Sequence, residues 1–161
     1  MTYVILLVED NERNLKLLRD VLDYAGFDVR VARTAEDGIS LAASEAPDLV
    51  LMDLQLPGID GMEALRRLRE SPRTADIPVV AVTAQAMKQD REQALEAGFN
   101  GYIEKPISVR AFPGQVRSFL SGGRRGHPES LWRQYRLKQA DVLRHIIDDE
   151  YKRIRYHSVP T

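Results

Sequence analysis

The sequence predicts an α/β fold: a doubly wound, five-stranded parallel sheet with helices on both faces. Three observations carry that expectation. The runs Tyr3–Val8 (YVILLV) and Leu49–Met52 (LVLM) are apolar throughout rather than alternating, as strands buried on both faces are. Strand-like and helix-like stretches alternate five times between residues 3 and 120. The strand-like runs end in polar or charged residues, and the carboxyl ends of strands are where open α/β sheets bind ligands.

Taken in order, Tyr3–Val8 is a central strand that ends in Glu9-Asp10-Asn11. Asn11 is suited to cap the next helix, in which Leu15, Leu18 and Leu22 recur on one face with Val21 beside them. Gly26 marks the helix end. Asp28–Ala32 alternates and reads as a strand nearer the sheet edge, and Thr34 caps a helix over Ala35–Ser44. Leu49–Met52 stops at Asp53, because Pro57-Gly58 and Asp60-Gly61 form a loop that cannot extend a strand. Residues 60–70 form an amphipathic helix with Met62, Leu65 and Leu68 inward and the arginines outward. Val79–Val82 is a strand ending at Thr83, and a helix over residues 85–97 closes at Gly98. Gly101–Ile103 is the fifth strand, ending in Glu104-Lys105-Pro106. Ser108 caps a last helix reaching Leu120, which the Gly122-Gly123 pair breaks. Pro113-Gly114 inside it disfavours a regular helix by roughly 3–4 kcal/mol, so a late start, a kink or an irregular first turn is expected.

At 161 residues the chain holds one domain with a substantial core. The net charge of -1 argues against a wholesale nucleic-acid surface, but it hides an asymmetry. Residues 1–121 carry 14 basic and 19 acidic side chains, and residues 122–161 carry 9 and 5. With no cysteine, disulfides and thiolate metal sites are excluded. No signal segment and no membrane-length apolar run is evident, so a cytoplasmic protein without membrane insertion is expected.

The strand ends converge on one chemistry. Glu9, Asp10 and Asp53 are three acids that repel one another unless a cation lies among them. Oxygen ligands without His or Cys favour Mg²⁺, or Mn²⁺, over Zn²⁺. Lys105 adds a point charge and Thr83 a hydroxyl for phosphate oxygens, which makes Asp53 a candidate phosphoryl acceptor. Taken singly, each residue has a plainer role. Glu9-Asp10 would be a helix-start acid pair, Thr83 a satisfied strand-end hydroxyl, Tyr102 a packed aromatic and Lys105 a solvated charge. Those plainer roles lose ground because all five fall at strand ends in one order. His127, His145 and His157 lie in the tail without ligand spacing and are read as surface residues.

These residues carry a resemblance. Val8-Glu9-Asp10-Asn11, Leu51–Gly61 (LMDLQLPGIDG), Val82-Thr83-Ala84 and Glu104-Lys105-Pro106 resemble a response-regulator receiver (CheY-like) domain. Ile77–Lys88 (IPVVAVTAQAMK) with Lys105–Val109 (KPISV) is similar to the DivK-type single-domain receivers. The resemblance spans about residues 3–120 and implies strand order 2-1-3-4-5. It further implies Asp53 as phosphoacceptor, with Asp10, Asp53 and the Gln55 backbone carbonyl as direct Mg²⁺ ligands and Glu9 acting through water. Lys105 would pair with a phosphoryl oxygen, and the Lys105–Pro106 bond would be cis. Thr83 would be the switch hydroxyl, the small Ala84 would leave the acyl phosphate accessible, and Tyr102 would be the aromatic that swings inward.

The domains expected are a receiver over 1–121, a linker over 122–128 and a basic helical tail over 129–161. Leu131, Tyr135, Val142, Ile146 and Ile147 tend to one side of that tail. It would pack on the body or on a second copy, giving a homodimer; the competing reading is a basic arm that orders on nucleic acid or an anionic surface. The function expected is phosphorylation-dependent signalling. A sensor histidine kinase or histidine phosphotransfer protein would phosphorylate Asp53, and the affinity for a downstream protein would change, without metabolic enzyme activity. Two rivals are a phosphorylation-independent scaffold and a metal-dependent phosphatase. The phosphatase would want an acid where Gln55 stands.

Overall fold

A computed structural model describes residues 2–84 and 87–121. Five strands, β1 (Val4–Val8), β2 (Asp28–Ala32), β3 (Leu49–Met52), β4 (Val79–Thr83) and β5 (Gly101–Glu104), pair in parallel in the order β2-β1-β3-β4-β5. The helices between and after them are α1 (Glu12–Tyr24), α2 (Ala35–Glu45), α3 (Gly61–Glu70), α4 (Lys88–Ala97) and α5 (Phe112–Ser121). The alternating strand, with Asp28 and Arg30 half exposed, lies at the sheet edge, while the continuously apolar β1 and β3 lie inside.

Because successive strand residues face opposite sides, the sheet divides its apolar residues between two cores. Ile5, Leu7, Leu49, Leu51, Val80, Val82 and Ile103 pack with Leu18 and Leu22 of α1 and with Phe112 and Val116 of α5. Leu6, Val8, Val50, Met52, Val79 and Ala81 pack with Ala42 of α2, Ala64, Leu65 and Leu68 of α3, and Ala94 of α4. Close approach has a sequence cause at Gly38 in α2, where an added Cβ would lie 2.8 Å from Val8 Cγ2.

Local chemistry sets the helix ends. Asn11 Oδ1 accepts from the backbone N–H groups of Arg13 and Asn14, each at 3.1 Å, and Thr34 Oγ1 accepts from Asp37 N–H at 3.1 Å. Gly98 ends α4 with φ 110°, a conformation that costs glycine little. The last helix starts late. Ser108–Ala111 forms a turn, in which Phe112 N–H donates to Ser108 O at 2.9 Å, and Pro113 becomes the second residue of α5. A first-turn N–H has no intrahelical acceptor, so the proline forfeits nothing there.

One outward assignment is corrected. Arg69 does not face solvent like Arg66 and Arg67; it reaches under the sheet. Its guanidinium donates to Ala75 O (3.1 Å), Ile77 O (2.6 Å), Gly98 O (3.3 Å) and Asn100 Oδ1 (2.8 Å). Asn100 Oδ1 also accepts from Val79 N–H at 2.9 Å, so one arginine joins the end of α3 to the starts of β4 and β5. Arg69→Ala is expected to lower stability by about 2–4 kcal/mol, since it strips partly buried carbonyls of a charged donor. Arg69→Lys should recover less than half of that, because an ammonium lacks the planar fork. Urea unfolding of the three proteins checks both. The expected linker (122–128) and expected tail (129–161), with His127, His145 and His157, lie outside the described residues.

Among the described residues no helix is long and apolar enough to cross a membrane.

Candidate functional site

The ladder that builds the sheet also gathers the site. Val8 pairs with Met52 and with Ala32, and the pairing runs one residue further: Glu9 N–H donates to Ala32 O at 3.0 Å and Asp53 N–H to Val8 O at 3.1 Å. Glu9 and Asp53 therefore leave adjacent strands side by side. Both are buried, and Asp10 is the more exposed neighbour. One carboxylate oxygen from each of Glu9, Asp10 and Asp53 lies within 4.8 Å of the others, which suits a cation.

Lys105 closes the group from the other side of the sheet centre. Its backbone N–H donates to Thr83 O at 3.0 Å, carrying the β4–β5 pairing past the strand ends. Its ammonium lies 2.8 Å from Asp53 Oδ2 and 2.6 Å from Glu9 Oε2. The Lys105–Pro106 peptide is cis. Asp53 Oδ1 accepts from Gln55 N–H at 2.9 Å, and Glu9 Oε1 from Asn11 N–H at 3.1 Å. Thr83 is fully buried at the end of β4 and Ala84 is exposed just after it. Tyr102 is half-buried on β5, against the core on the α2, α3 and α4 side.

The electrostatics follow from burial. Burial raises the Glu9 carboxyl above its ordinary value, against the hydrogen bond and charge of Lys105, and the Asp53 charge adds to the rise. For Lys105, burial works to lower the ammonium, but the hydrogen bonds it donates to Asp53 and Glu9, with the charges of those two acids, outweigh it and the net shift is upward. One ammonium thus faces two buried carboxylates, with a third acid alongside. The group keeps an excess of negative charge that a divalent cation would offset.

Two parts of this arrangement escape a sequence reading. Glu9 pairs directly with Lys105, 96 residues away. Gly61, at the start of α3, lets the helix abut the acid loop: an added Cβ would lie 2.6 Å from Asp53 O and 2.9 Å from Leu54 Cα. Gly61 N–H donates to Leu54 O at 3.2 Å across the same junction. Pro57, Gly58 and Gly61 close after Asp53 are the local signal, though they do not say which glycine touches backbone.

A family model described as the response regulator receiver domain matches residues 5–117 of the chain. The chain belongs to the response regulator receiver family. A curated relative of this receiver is the polar-differentiation response regulator DivK of Brucella ovis, 42% identical over 120 residues, covering 74% of this chain and 98% of DivK. Among solved structures, a response regulator from Chloroflexus aurantiacus J-10-fl is 31% identical with a TM-score of 0.71, covering 75% of this receiver's chain and 99% of its own. The receiver domain of a sensor histidine kinase from Pseudomonas aeruginosa PAO1 is also 31% identical, with a TM-score of 0.70 and the same coverages. In that protein a magnesium ion is coordinated in the active site cleft. Five strands in the order seen here are the CheY-like fold, and two-component signalling is the work of the family.

Proposed function

We propose that Asp53 accepts a phosphoryl group from a phosphohistidine of a sensor histidine kinase or histidine phosphotransfer protein, with Mg²⁺ held at Glu9, Asp10 and Asp53. The observation that carries this reading is the three-acid cluster facing the Lys105 ammonium at 2.8 Å from Asp53. Mn²⁺ shares the preference for oxygen ligands and would substitute. Asp10 and Asp53 would ligate the ion directly with the Gln55 carbonyl, and Glu9 through water. Bound there, the ion would neutralise charge on the transferring group.

In the transfer, an Asp53 carboxylate oxygen attacks phosphorus, the N–P bond breaks, and its electron pair stays on the donor imidazole nitrogen. Lys105 is placed to move from the acids to a phosphoryl oxygen, and Thr83, at the end of the neighbouring strand, to offer its hydroxyl to another. Exposed Ala84 leaves the acyl phosphate open to water, whose attack on phosphorus returns Asp53 and inorganic phosphate. That slow self-hydrolysis is the extent of the catalysis proposed. The extra charge draws Thr83 and Lys105 inward, Tyr102 follows, and the affinity for a downstream protein changes.

The boundaries proposed are a receiver over 1–121, a linker over 122–128 and a basic tail over 129–161. A second copy is the tail's proposed partner, which solution mass of the full chain and of residues 1–121 would test. The cation site is tested by calorimetric titration with Mg²⁺ at constant ionic strength. Asp10→Asn is expected to weaken binding by at least about tenfold, since it removes a charged ligand but leaves Lys105 in place. Equal affinities in the two proteins would take Asp10 out of the site, and no Mg²⁺ binding to the wild type would favour the phosphorylation-independent scaffold.

A further inference from the structure

α4 is held to the body by little apolar burial. Ala94 alone among its ten residues is buried, whereas α3 buries Ala64, Leu65 and Leu68. Its N-cap, Met87, makes no side-chain capping bond and is itself exposed. A short helix with one buried residue and no side-chain N-cap depends on other contacts to hold its first turn in place.

Arg91 supplies such contacts. It stands one turn into α4, where a cation gains nothing from the helix dipole. Its guanidinium lies 5.8 Å from the centre of the Tyr102 ring and pairs through Nη2 with Glu104. Tyr102 and Glu104 are two apart on β5 and so face the same side. Tyr102 pairs with Ala81 and Glu104 with Thr83, so the arginine grips β5 directly beside the proposed switch hydroxyl. The residue after Glu104 is Lys105.

A surface ion pair of this exposure is worth little by itself. This one has an uncommon accompaniment. Arg91 Nε and Tyr102 Oη are both buried without a hydrogen-bond partner among the described residues. Two unsatisfied polar groups at one contact work against it, which suits an arrangement that is meant to be left.

We propose that Arg91 is a clasp: it holds Tyr102 and α4 in the resting receiver, and occupation of the phosphoryl site at Asp53 works against it. This rests on the reading of Asp53 given above, and two separate measurements keep the ideas apart. The first needs no ligand. Amide hydrogen exchange of the full chain without Mg²⁺ should speed up over residues 88–97 and 101–104 in both Arg91→Met and Glu104→Gln, with β1 and β3 unchanged. Unaltered exchange in both variants would overturn the clasp whatever Asp53 does.

The second uses beryllofluoride with Mg²⁺ as a phosphoryl stand-in, titrated into the full chain. Loss of a resting-state contact should tighten its apparent affinity by about fivefold or more in each variant, while Mg²⁺ affinity alone stays at the wild-type value. Equal or weaker beryllofluoride binding in the variants, beside a wild type that binds, would overturn the clasp. Failure of the wild type itself to bind would count against the phosphoryl site, and the exchange result would still decide the clasp.

Discussion

Asp53→Asn is expected to abolish Mg²⁺-dependent phosphorylation by acetyl phosphate while leaving the fold intact. The amide has nearly the shape of the carboxylate but lacks the anionic oxygen that attacks phosphorus. Its oxygen can still accept from Gln55 N–H or from Lys105, the two donors that the carboxylate now uses. One fewer negative charge in a cluster of three offsets part of the weakened Lys105 pairing. Stability should therefore change by less than about 1 kcal/mol, within the usual range for a change that leaves no buried charge unpaired. Loss of labelling with a urea midpoint close to that of the wild type is the expected pair of results. Labelling that persists in the variant would move the acceptor elsewhere.

Removing the lysine should have the larger structural effect. In Lys105→Met, Glu9 and Asp53 would face each other with side chains 2% and 8% exposed and no cation between them. Breaking a buried pair from one side costs about 3–5 kcal/mol, because a desolvated charge is left behind. One carboxyl would answer by holding a proton, extending the rise already present at Glu9. A folded-state value above the unfolded one, near 4.3, means that the folded protein binds more protons between the two. The variant should therefore gain stability as pH falls from neutrality toward the unfolded value, and lose it as pH rises through the folded one. Mg²⁺ should restore part of the loss, about 1.4 kcal/mol at ten times its dissociation constant. Unfolding curves at neutral and mildly acidic pH, with and without Mg²⁺, check both signs. A variant as stable as wild type and indifferent to Mg²⁺ would show that the lysine does not balance these acids.

Much of this is legible in the sequence alone, for a physical reason. Strands buried on both faces must be apolar throughout, so Leu49–Met52 declares itself, and a carboxylate at its end stands out because a charge at that depth needs a partner. That Pro113 would disturb the start of α5 is legible too, because a proline is tolerated best in a first turn. The sequence leaves a late start, a kink and an irregular first turn all open, however, and places the cap at Ser108, four residues before the helix begins. Contacts that depend on distant partners were not legible. Arg69 lies on the polar side of an amphipathic pattern, and only the fold brings Gly98 and Asn100 within its reach. Arg91 reads as one more surface charge on a polar helix until β5 places Tyr102 and Glu104 beneath it. Gly61 looks like any turn glycine, although the backbone of Asp53 and Leu54 leaves no space for a side chain there.

The most direct test of the phosphoacceptor is to locate the phosphoryl group itself. The full chain would be incubated with acetyl phosphate and Mg²⁺, treated with borohydride to reduce the acyl phosphate to homoserine, and digested with trypsin. The peptide of residues 34–66 holds Asp53 together with Asp37, Asp48 and Asp60, so fragmentation distinguishes the acceptor from its neighbours. Homoserine at position 53, absent when Mg²⁺ is chelated, is the result expected. An unmodified Asp53, or modification at another carboxylate, would contradict the account.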